Sequence, residues 1–306
     1  MKIYAAPLQG LTEHIWRNIH AELFGGIDAY YTPFIRLEKG SLRNKDIREI
    51  APENNIGNHC IPQILAGNGE ELERLVNEIS QKGYDRIDIN MGCPFPPIAK
   101  KGKGAGILQH PDKVAELCSI IKGHDEIKFS IKMRCGMESF DEWKRLADTI
   151  NETPLEEVIM HPRIGTQQYK GDINMEAFEE FRKACAHPVV YNGDIRSLSD
   201  CNSLQERIPE LYGIMIGRGL LANPELANEI RNNKEADTEN TLRKIHTMHD
   251  LILEAYCNTL HGETQILMKI KPYWEYLMPD MDRKARKKIM KSTSLDKYRA
   301  AVNEAL

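Results

Sequence analysis

The residue whose setting best suits chemistry is Cys93, in the segment Asn-Met-Gly-Cys-Pro at 90–94. Gly92 and Pro94 define a tight backbone around it, and a basic, glycine-rich stretch typical of a mobile lid follows at 100–106. An isolated cysteine usually packs in a core. A thiol at the end of a predicted strand, beside lysines, is instead placed as reactive thiols are.

Polar side chains stand at the ends of other predicted strands. Gln63, Asn90 and Lys132 can hydrogen-bond a flat polar heterocycle, and the charge of Lys132 can stabilise the reduced form of a flavin. Arg134 follows Lys132 by two residues, so both side chains lie on one face of the strand. His161 ends a strand beside a further arginine, a position that favours a role in a site.

Glycine-bearing turns follow the last two predicted strands, at 192–194 (Asn-Gly-Asp) and 217–219 (Gly-Arg-Gly). In barrels of alternating strands and helices, these two turns commonly cradle a phosphate, because their amide N–H groups point at the ligand. Arg218 can add a charge-assisted contact. The turns therefore predict a bound mononucleotide whose ring lies over the barrel mouth.

Alternating strands and helices must position these residues. Helical stretches separate eight β-branched or apolar runs, at 3–6, 29–32, 60–65, 86–90, 128–133, 157–161, 188–192 and 213–217. Eight such units in about 235 residues predict an α/β fold, a (β/α)₈ TIM barrel. An open doubly wound sheet is the alternative, but its Gly-x-Gly-x-x-Gly motif is missing after the first strand.

Beyond a polar linker at 232–237 the sequence is helical, with predicted helices at 241–260, 264–278, 283–291 and 295–305. We therefore expect two domains, a barrel at 1–235 and a small all-helical domain at 238–306. The second carries 12 Lys and Arg against 9 Asp and Glu, a net charge of +3, whereas the remainder is at −7. Six of its cations cluster at 283–291, which by itself indicates only a solvated helix face.

Composition excludes several other classes. The 7 cysteines are scattered and include no Cys-x-x-Cys pair, which argues against a disulfide framework and a zinc site, so we expect no metal. No apolar run approaches the roughly 18 residues of a membrane span. A strand begins directly after Met1-Lys2, so we expect no signal peptide, a cytoplasmic location and a monomer.

Taken in order, these segments resemble the tRNA-dihydrouridine synthase family over nearly the whole chain. The most specific are 90–94 and 101–105 (Lys-Gly-Lys-Gly-Ala), supported by 6–10, 131–134, 161–171, 192–194 and 215–219. The resemblance implies an FMN enzyme that uses NADPH to reduce selected uridines in the tRNA D-loop to 5,6-dihydrouridine. Hydride from flavin N5 would add at C6 of the uracil, and Cys93 would give the proton to C5 as general acid.

The same resemblance assigns residues to the flavin and to the tRNA. Those implied to hold the flavin are Ala6, Pro7, Leu8, Gln63, Lys132, His161, Asn192, Gly193, Asp194, Gly217 and Arg218. Those implied to bind the substrate are Asn90, Arg134 and Arg163 near the base, and Lys287 and Lys288 in the basic segment. The target base must leave its stack to enter the barrel mouth.

The sequence departs from the family pattern at two places. Leu8 stands where members usually have methionine, a hydrophobic exchange that should still pack near the flavin. Pro162 and Ile164 replace glycine and threonine beside His161, and the proline removes an amide donor from the substrate side of the loop. The segment 271–277 is most similar to the subfamily that acts on the 5′ side of the D-loop.

Two other functions stay open. An FMN barrel such as a dihydroorotate or dihydropyrimidine dehydrogenase would act on a free pyrimidine and share the phosphate cradle and the lysine, but would not need a basic helical domain. A tRNA-binding module without catalysis, acting as a folding chaperone, would not need Cys93 and Lys132.

Overall fold

Parallel strands form a closed barrel in the computed structural model, which describes residues 1–306. Its sheet has nine strand segments. Two of these follow each other directly and occupy one position, β3, so the barrel is eight-stranded as predicted. The strands are β1 Lys2–Ala5, β2 Ala29–Tyr31, β3 Cys60–Ile61 with Gln63–Ile64, β4 Arg86–Met91, β5 Lys128–Gly136, β6 Leu155–Ile164, β7 Val189–Tyr191 and β8 Gly213–Ile216.

The barrel closes through β3, where Pro62 divides the strand. The first half of β3 pairs with β2, the second half pairs with β4, and β8 pairs with β1. Proline has no N–H to donate to a ladder, although the Pro62 carbonyl still accepts from the Asp88 amide at 2.9 Å. The single strand predicted at 60–65 is therefore two short segments.

Helices follow the strands and surround the barrel. They are α1 His14–Leu23, α2 Asn44–Glu49, α3 Gly69–Ser80, α4 Pro96–Ala99, α5 Pro111–Ile121, α6 Ala147–Asn151, α7 Met175–Ala184, α8 Leu198–Arg207, α9 Arg218–Ala222, α10 Leu226–Asn232, α11 Thr238–Thr259, α12 Glu263–Ile270, α13 Arg283–Lys291 and α14 Leu295–Ala305. Short 3₁₀ turns lie at Pro52–Asn54, Gly104–Gln109, Glu142–Arg145, Gly165–Gln167 and Lys271–Glu275. A small antiparallel hairpin, Leu37–Glu38 with Ser41–Leu42, follows β2.

Strand register aligns the polar residues in rows across the barrel. Asp88 of β4 lies between Gln63 of β3 and Ser130 of β5, and Asn90 pairs with Lys132 one row closer to the mouth. Alternate residues of a strand face the same side. The alternation on β4 and β5 therefore turns this polar series towards the inside of the barrel mouth.

Apolar and polar layers fill the barrel below that mouth. A cluster of 8 buried residues, including Tyr4, Tyr31 and Ile159, is separate from the 63-residue core between strands and helices. Tyr4 and Tyr31 donate hydrogen bonds to buried Glu157 at 2.8 and 3.0 Å. The interior is thus packed with side chains, as in other barrels of this kind.

The last four helices form a group that packs against α1. Two of them, α13 and α14, have the predicted bounds. The helix predicted at 264–278 ends at Ile270, because Pro272, the second residue of the 3₁₀ turn that follows, has no N–H to continue it. Trp16 of α1 meets Ile245, Met248 and Trp274 in an apolar interface. No helix has both the length and the apolar character needed to cross a membrane.

Candidate active site

Two adjoining cavities open at the carboxyl ends of the strands. The larger, of about 520 Å³, is lined by Gln63, Asn90, Cys93 and Arg134 among others. The smaller, of about 60 Å³, lies against the turns after β7 and β8. Both cavities are lined by Pro7, Leu8, Lys132, His161 and Tyr169. An elongated ligand can therefore extend from one into the other.

The loop that carries Cys93 is held from two sides. The Oδ1 atom of Asn90 accepts hydrogen bonds from the amides of Gly92 at 3.1 Å and Cys93 at 2.9 Å. Arg134 donates from Nε to the Gly92 carbonyl at 2.9 Å and from Nη1 to the Ile164 carbonyl at 3.0 Å. Asn90 and Arg134, predicted to contact substrate, both line the cavity and also position the thiol loop.

The Cys93 thiol is half-buried at the edge of the larger cavity. Burial raises its pKa above the ordinary value, and the Phe95 amide, Arg134 and Lys132 offset this only in part. A raised pKa keeps the sulfur protonated at neutral pH. Cys93 therefore suits the role of a proton donor better than that of a thiolate nucleophile.

A chain of hydrogen bonds leads from the Cys93 loop into the barrel. Asn90 donates from Nδ2 to Gln63 Oε1 at 2.7 Å, and Gln63 donates from Nε2 to Asp88 Oδ2 at 2.7 Å. Ser130 donates to the other Asp88 oxygen at 2.6 Å. Burial raises the pKa of Asp88 to about 7. In its ionised form the carboxylate only accepts, so it orients the Gln63 amide and, through Gln63, the Asn90 amide. Asp88 was not predicted from the sequence. It lies two residues before Asn90 on the same strand and so faces the same side, which was the available signal.

Lys132 points into the mouth where both cavities meet. Its Nζ donates to Asn192 Oδ1 at 2.6 Å, and Asn192 donates to the Met215 carbonyl at 2.7 Å. Burial and then the neighbouring Arg134 lower the pKa of Lys132 to about 8, while Asp88 acts in the opposite direction. The side chain of Asn192, which was predicted to bind the phosphate, is thus occupied by its hydrogen bonds to Lys132 and the Met215 carbonyl.

His161 is buried among cations, with Arg163 beside it. Burial, followed by the charges of Arg134 and Lys132, lowers the His161 pKa well below its ordinary value, so the ring is neutral. Arg163 donates from Nη1 towards His161 Nε2 at 3.2 Å, which leaves the ring proton on Nδ1. His161 can therefore donate a hydrogen bond to a ligand but adds no charge.

The expectation that Arg163 contacts substrate is not met by its position. Arg163 is 2% exposed and lines neither cavity. Its guanidinium forms a salt bridge with Asp194 and donates to the Gly171 carbonyl at 2.9 Å, so it lies behind Asp194 and His161, which line the cavities. Arg163 therefore acts on the site through Asp194 and His161.

The turns after β7 and β8 fit a phosphate group. The amides of Gly193, Asp194 and Gly217 have no acceptor within the protein, and all three residues line the smaller cavity. At Gly193 a Cβ would lie 2.4 Å from the Tyr191 hydroxyl, so a side chain would disturb the turn. Arg218 adds a cation, which is shared with Asp194. Free amides beside an arginine are the donor set that an anion requires.

Ala6, Pro7 and Leu8 form the wall between β1 and these turns. A Cβ at Gly217 would lie 3.4 Å from the Ala6 Cβ and 3.7 Å from a Leu8 methyl, so the two segments approach closely. The residues predicted to hold a flavin thus surround one continuous space, together with Gln63, Lys132 and His161.

The segment at 100–106, predicted as a mobile lid, is packed under the Cys93 loop. The Ala105 amide donates to the Cys93 carbonyl at 2.9 Å, and Lys103 bonds to Glu71 at 2.5 Å. Gly104 and Ala105 are buried. The glycines allow the backbone of this segment to approach its neighbours closely: a Cβ at Gly104 or Gly106 would lie within 2.5 Å of a carbonyl oxygen. This close packing explains the number of glycines.

Replacing Gly104 by alanine should displace the Cys93 loop. Its φ is +57°, and an added Cβ would lie 2.5 Å from the Cys93 carbonyl oxygen. We expect a destabilisation of about 1–3 kcal/mol and at least tenfold lower turnover. Thermal unfolding and steady-state rates measure both effects. Gly57→Ala is the matched control because its φ is +82° with no atom within 4 Å; equal effects of the two changes would refute the contact.

Several cavity residues were not predicted. Tyr169 is 50% exposed, and Arg134 and Arg218 stack on its ring at 5.5 and 5.0 Å. Phe95 is 58% exposed next to the thiol. A third group comes from the segment after β2: Phe34, Arg36, Arg43 and Lys45.

The basic segment forms α13, outside both cavities. Arg286 donates to the carbonyls of Trp274, Leu277 and Met278, so it stabilises the preceding turn. Lys288 pairs with Glu304 on the surface. The remaining cations of the helix form no salt bridge and are exposed: Arg283, Lys284, Lys287 and Lys291.

Comparison with known proteins finds a family model and relatives that are all described as dihydrouridine synthases. A family model described as dihydrouridine synthase matches residues 4–305. A tRNA-dihydrouridine(16) synthase of Neisseria meningitidis serogroup B is 29% identical over 238 residues, covering 75% of this chain and 71% of that protein. A probable tRNA-dihydrouridine synthase of Helicobacter pylori is 25% identical over 308 residues, covering 99% and 91%.

Solved structures share the barrel. Morphinone reductase superposes with a TM-score of 0.55 at 11% identity, covering 78% of this chain and 88% of that one. Histamine dehydrogenase from Rhizobium sp. 4-9 superposes with a TM-score of 0.56 at 12% identity, covering 76% and 46%. At these identities the likeness shows the fold alone.

Proposed function

The chain belongs to the dihydrouridine synthase family, and from that premise we propose that it reduces uridines in the D-loop of tRNA to 5,6-dihydrouridine. FMN is the proposed cofactor and NADPH the proposed reductant. The observation that carries the proposal is a cysteine thiol and a lysine that line one cavity, with free turn amides lining the adjoining cavity.

The residues divide the reaction between them. A flavin held by the amides of Gly193 and Gly217 and by Arg218 would supply hydride for C6 of the uracil ring. Cys93 delivers a proton to C5, which completes the saturated C5–C6 bond, and its thiolate regains a proton from solvent. Lys132 would hold its positive charge where the reduced cofactor would be negative, and neutral His161 would donate a hydrogen bond without adding charge.

The names of relatives support a narrower substrate. Proteins named tRNA-dihydrouridine(16) synthase, from Neisseria meningitidis and Aquipseudomonas alcaligenes, are 28–29% identical to this chain over 238 residues. We extend the proposal to a uridine on the 5′ side of the D-loop.

The exposed face of α13 is proposed to contact the tRNA backbone. Lys287 is exposed and forms no salt bridge, so reversing its charge disturbs no internal contact. Lys287→Glu should weaken tRNA binding several-fold and reduce the slope of log affinity against log salt by about 1. Lys288→Glu should act less, because Lys288 is already paired with Glu304.

Lys183→Glu is the matched control for this measurement, since Lys183 is an exposed cation on α7 at the outside of the barrel. Binding of tRNA to Lys287→Glu, Lys288→Glu and Lys183→Glu is measured at several salt concentrations. Equal weakening by Lys183→Glu and Lys287→Glu would show a general charge effect and remove α13 from the interface.

The proposed function is tested by offering competing substrates to the flavin-loaded protein. Purified protein with FMN and NADPH receives either tRNA that lacks dihydrouridine, or free uracil and orotate at equal concentration of reducible base. The proposal predicts oxidation of NADPH with tRNA and dihydrouridine in the digested RNA. Equal or faster reduction of the free pyrimidines would favour the dehydrogenase alternative.

A further inference from the structure

One wall of the larger cavity has no role in the reaction described above. This wall is built by Arg36, Arg43 and Lys45, from the long segment after β2, and it lines the same cavity as Cys93 and Lys132. Lys45 is exposed, so this wall of the cavity reaches the protein surface. Cations at such a position face the groups that remain outside when a flipped base enters.

The chain places these cations by a defined turn. The hairpin Leu37–Glu38 with Ser41–Leu42 brings Arg36 and Arg43 together on either side of Asp46. Arg43 donates from Nε and Nη2 to both Asp46 oxygens at 2.7 and 2.8 Å, and the Arg36 amide donates to the same carboxylate at 3.3 Å. Arg43 is thus neutralised and fixed, and it serves as the scaffold of the turn.

The charges of the other two cations are compensated less completely than that of Arg43. The guanidinium of Arg36 lies 3.6 Å from Glu38, a carboxylate that is 58% exposed, and its buried Nε has no hydrogen-bond partner. Lys45 is exposed and forms no salt bridge. Partial burial, and then the charge of Arg43, lower the pKa of Lys45, while Asp46 and Glu13 act in the opposite direction. The wall therefore attracts an anion.

We propose that Arg36 and Lys45 form a phosphodiester subsite, which holds the RNA backbone phosphate next to the flipped-out uridine. This subsite rests on the proposed function, because a nucleic-acid substrate supplies that phosphate. Its charge would anchor the nucleotide while Asn90, Cys93 and Lys132 act on the base. A neutral free pyrimidine would gain nothing from this wall, so the subsite also favours RNA over a free base.

The phosphates of NADPH could also bind to this wall. The two possible ligands are distinguished by measuring flavin reduction by NADPH and flavin reoxidation by tRNA separately. Lys45→Glu is compared with Arg48→Glu, a charge reversal on the same helix at an exposed residue that does not line the cavity. Stopped-flow absorbance follows flavin reduction by NADPH without RNA, and then flavin reoxidation by tRNA. Direct binding of tRNA at several salt concentrations gives a readout independent of turnover.

We expect Lys45→Glu to lower the second-order rate constant of reoxidation by tRNA about tenfold and to reduce the salt slope of tRNA binding by about 1. Reduction by NADPH should stay unchanged, and Arg48→Glu should match the wild type. Slower reduction by NADPH with unchanged reoxidation would assign the wall to the dinucleotide and overturn the proposal. Equal effects of both variants, or no effect of Lys45→Glu, would overturn it as well.

A chemically altered substrate locates the phosphate. A neutral methylphosphonate placed on either side of the target uridine should weaken binding to the wild type at one of the two positions. Lys45→Ala should be insensitive to the same replacement, because the partner charge is already lost. Equal sensitivity of wild type and variant at both positions would refute the subsite. Normal dihydrouridine formation by the wild type in the same assay would leave the proposed function standing.

Discussion

Replacing Cys93 by alanine should leave the flavin bound and abolish most turnover on tRNA. The thiol lines the cavity and burial raises its pKa, so it is protonated over the neutral range and can act as a proton donor there. Loss of a general acid costs about 10²–10⁴ in rate. Reduction of the flavin by NADPH should be unaffected, because that half-reaction needs no proton at C5 of a uracil.

Stopped-flow measurement of both half-reactions checks this expectation. Cys185→Ala is the control, since Cys185 is a half-buried thiol at the end of α7 and does not line the cavity. In the wild type, the rate of reoxidation by tRNA should fall only above the ordinary thiol pKa of 9.0, because the folded value is raised. A Cys93→Ala variant that reoxidises at the wild-type rate would exclude the thiol from the reaction.

Replacing Lys132 by methionine should slow flavin reduction by about 10²–10³ and weaken flavin retention. Lys132 supplies a positive charge at the junction of the two cavities, where the reduced cofactor would be negative, and a preorganised charge at such a position is worth about that factor. Methionine keeps much of the side-chain volume and removes only the charge and the hydrogen bond to Asn192.

The pH dependence adds a second signature for Lys132. Burial lowers its pKa to about 8, so the charge is present at pH 7 and is lost as the pH rises through that value. Flavin reduction in the wild type should decline above this point, whereas the Lys132→Met rate should be low and flat. Lys128→Met is the control, because Lys128 is an exposed residue at the other end of β5. A declining profile in the methionine variant would assign the pKa to another group.

The barrel was predictable because each strand is apolar and each helix amphipathic. All eight strand positions and the C-terminal helices α13 and α14 were predicted with small differences at their ends. The errors came from proline. Pro62 divides β3, and Pro272 ends α12 early, since a missing N–H interrupts both ladders and helices. A run of apolar residues does not reveal where such a break falls.

The positions of site residues were predictable where strand position alone decides which way the side chain points. Cys93 and Lys132 face the cavity as expected. Asn90, Arg134 and Arg163 were interpreted as substrate ligands, yet their side chains also bond within the protein, and Arg163 lines neither cavity. The three-dimensional partners of a polar side chain cannot be read from its type and strand position.

The cations in the segment after β2 could have been predicted as cavity residues but were not. Arg36, Arg43 and Lys45 follow a barrel strand, and the rule that active sites gather at carboxyl ends applies to β2 as to the others. The length of that segment and its five Lys and Arg residues, three of which line the cavity, were the available signal. The hairpin that turns them towards the mouth, and the role of Asp46 in fixing Arg43, became visible only in the structure.

The central claim is that this protein makes dihydrouridine in tRNA. The most direct measurement is nucleoside analysis of tRNA from cells that lack the gene, by digestion and mass spectrometry with mapping of the modified positions. We predict the loss of dihydrouridine from the 5′ side of the D-loop, its return with the wild-type gene, and no return with Cys93→Ala. An unchanged set of dihydrouridine positions in the deletion strain would contradict the account.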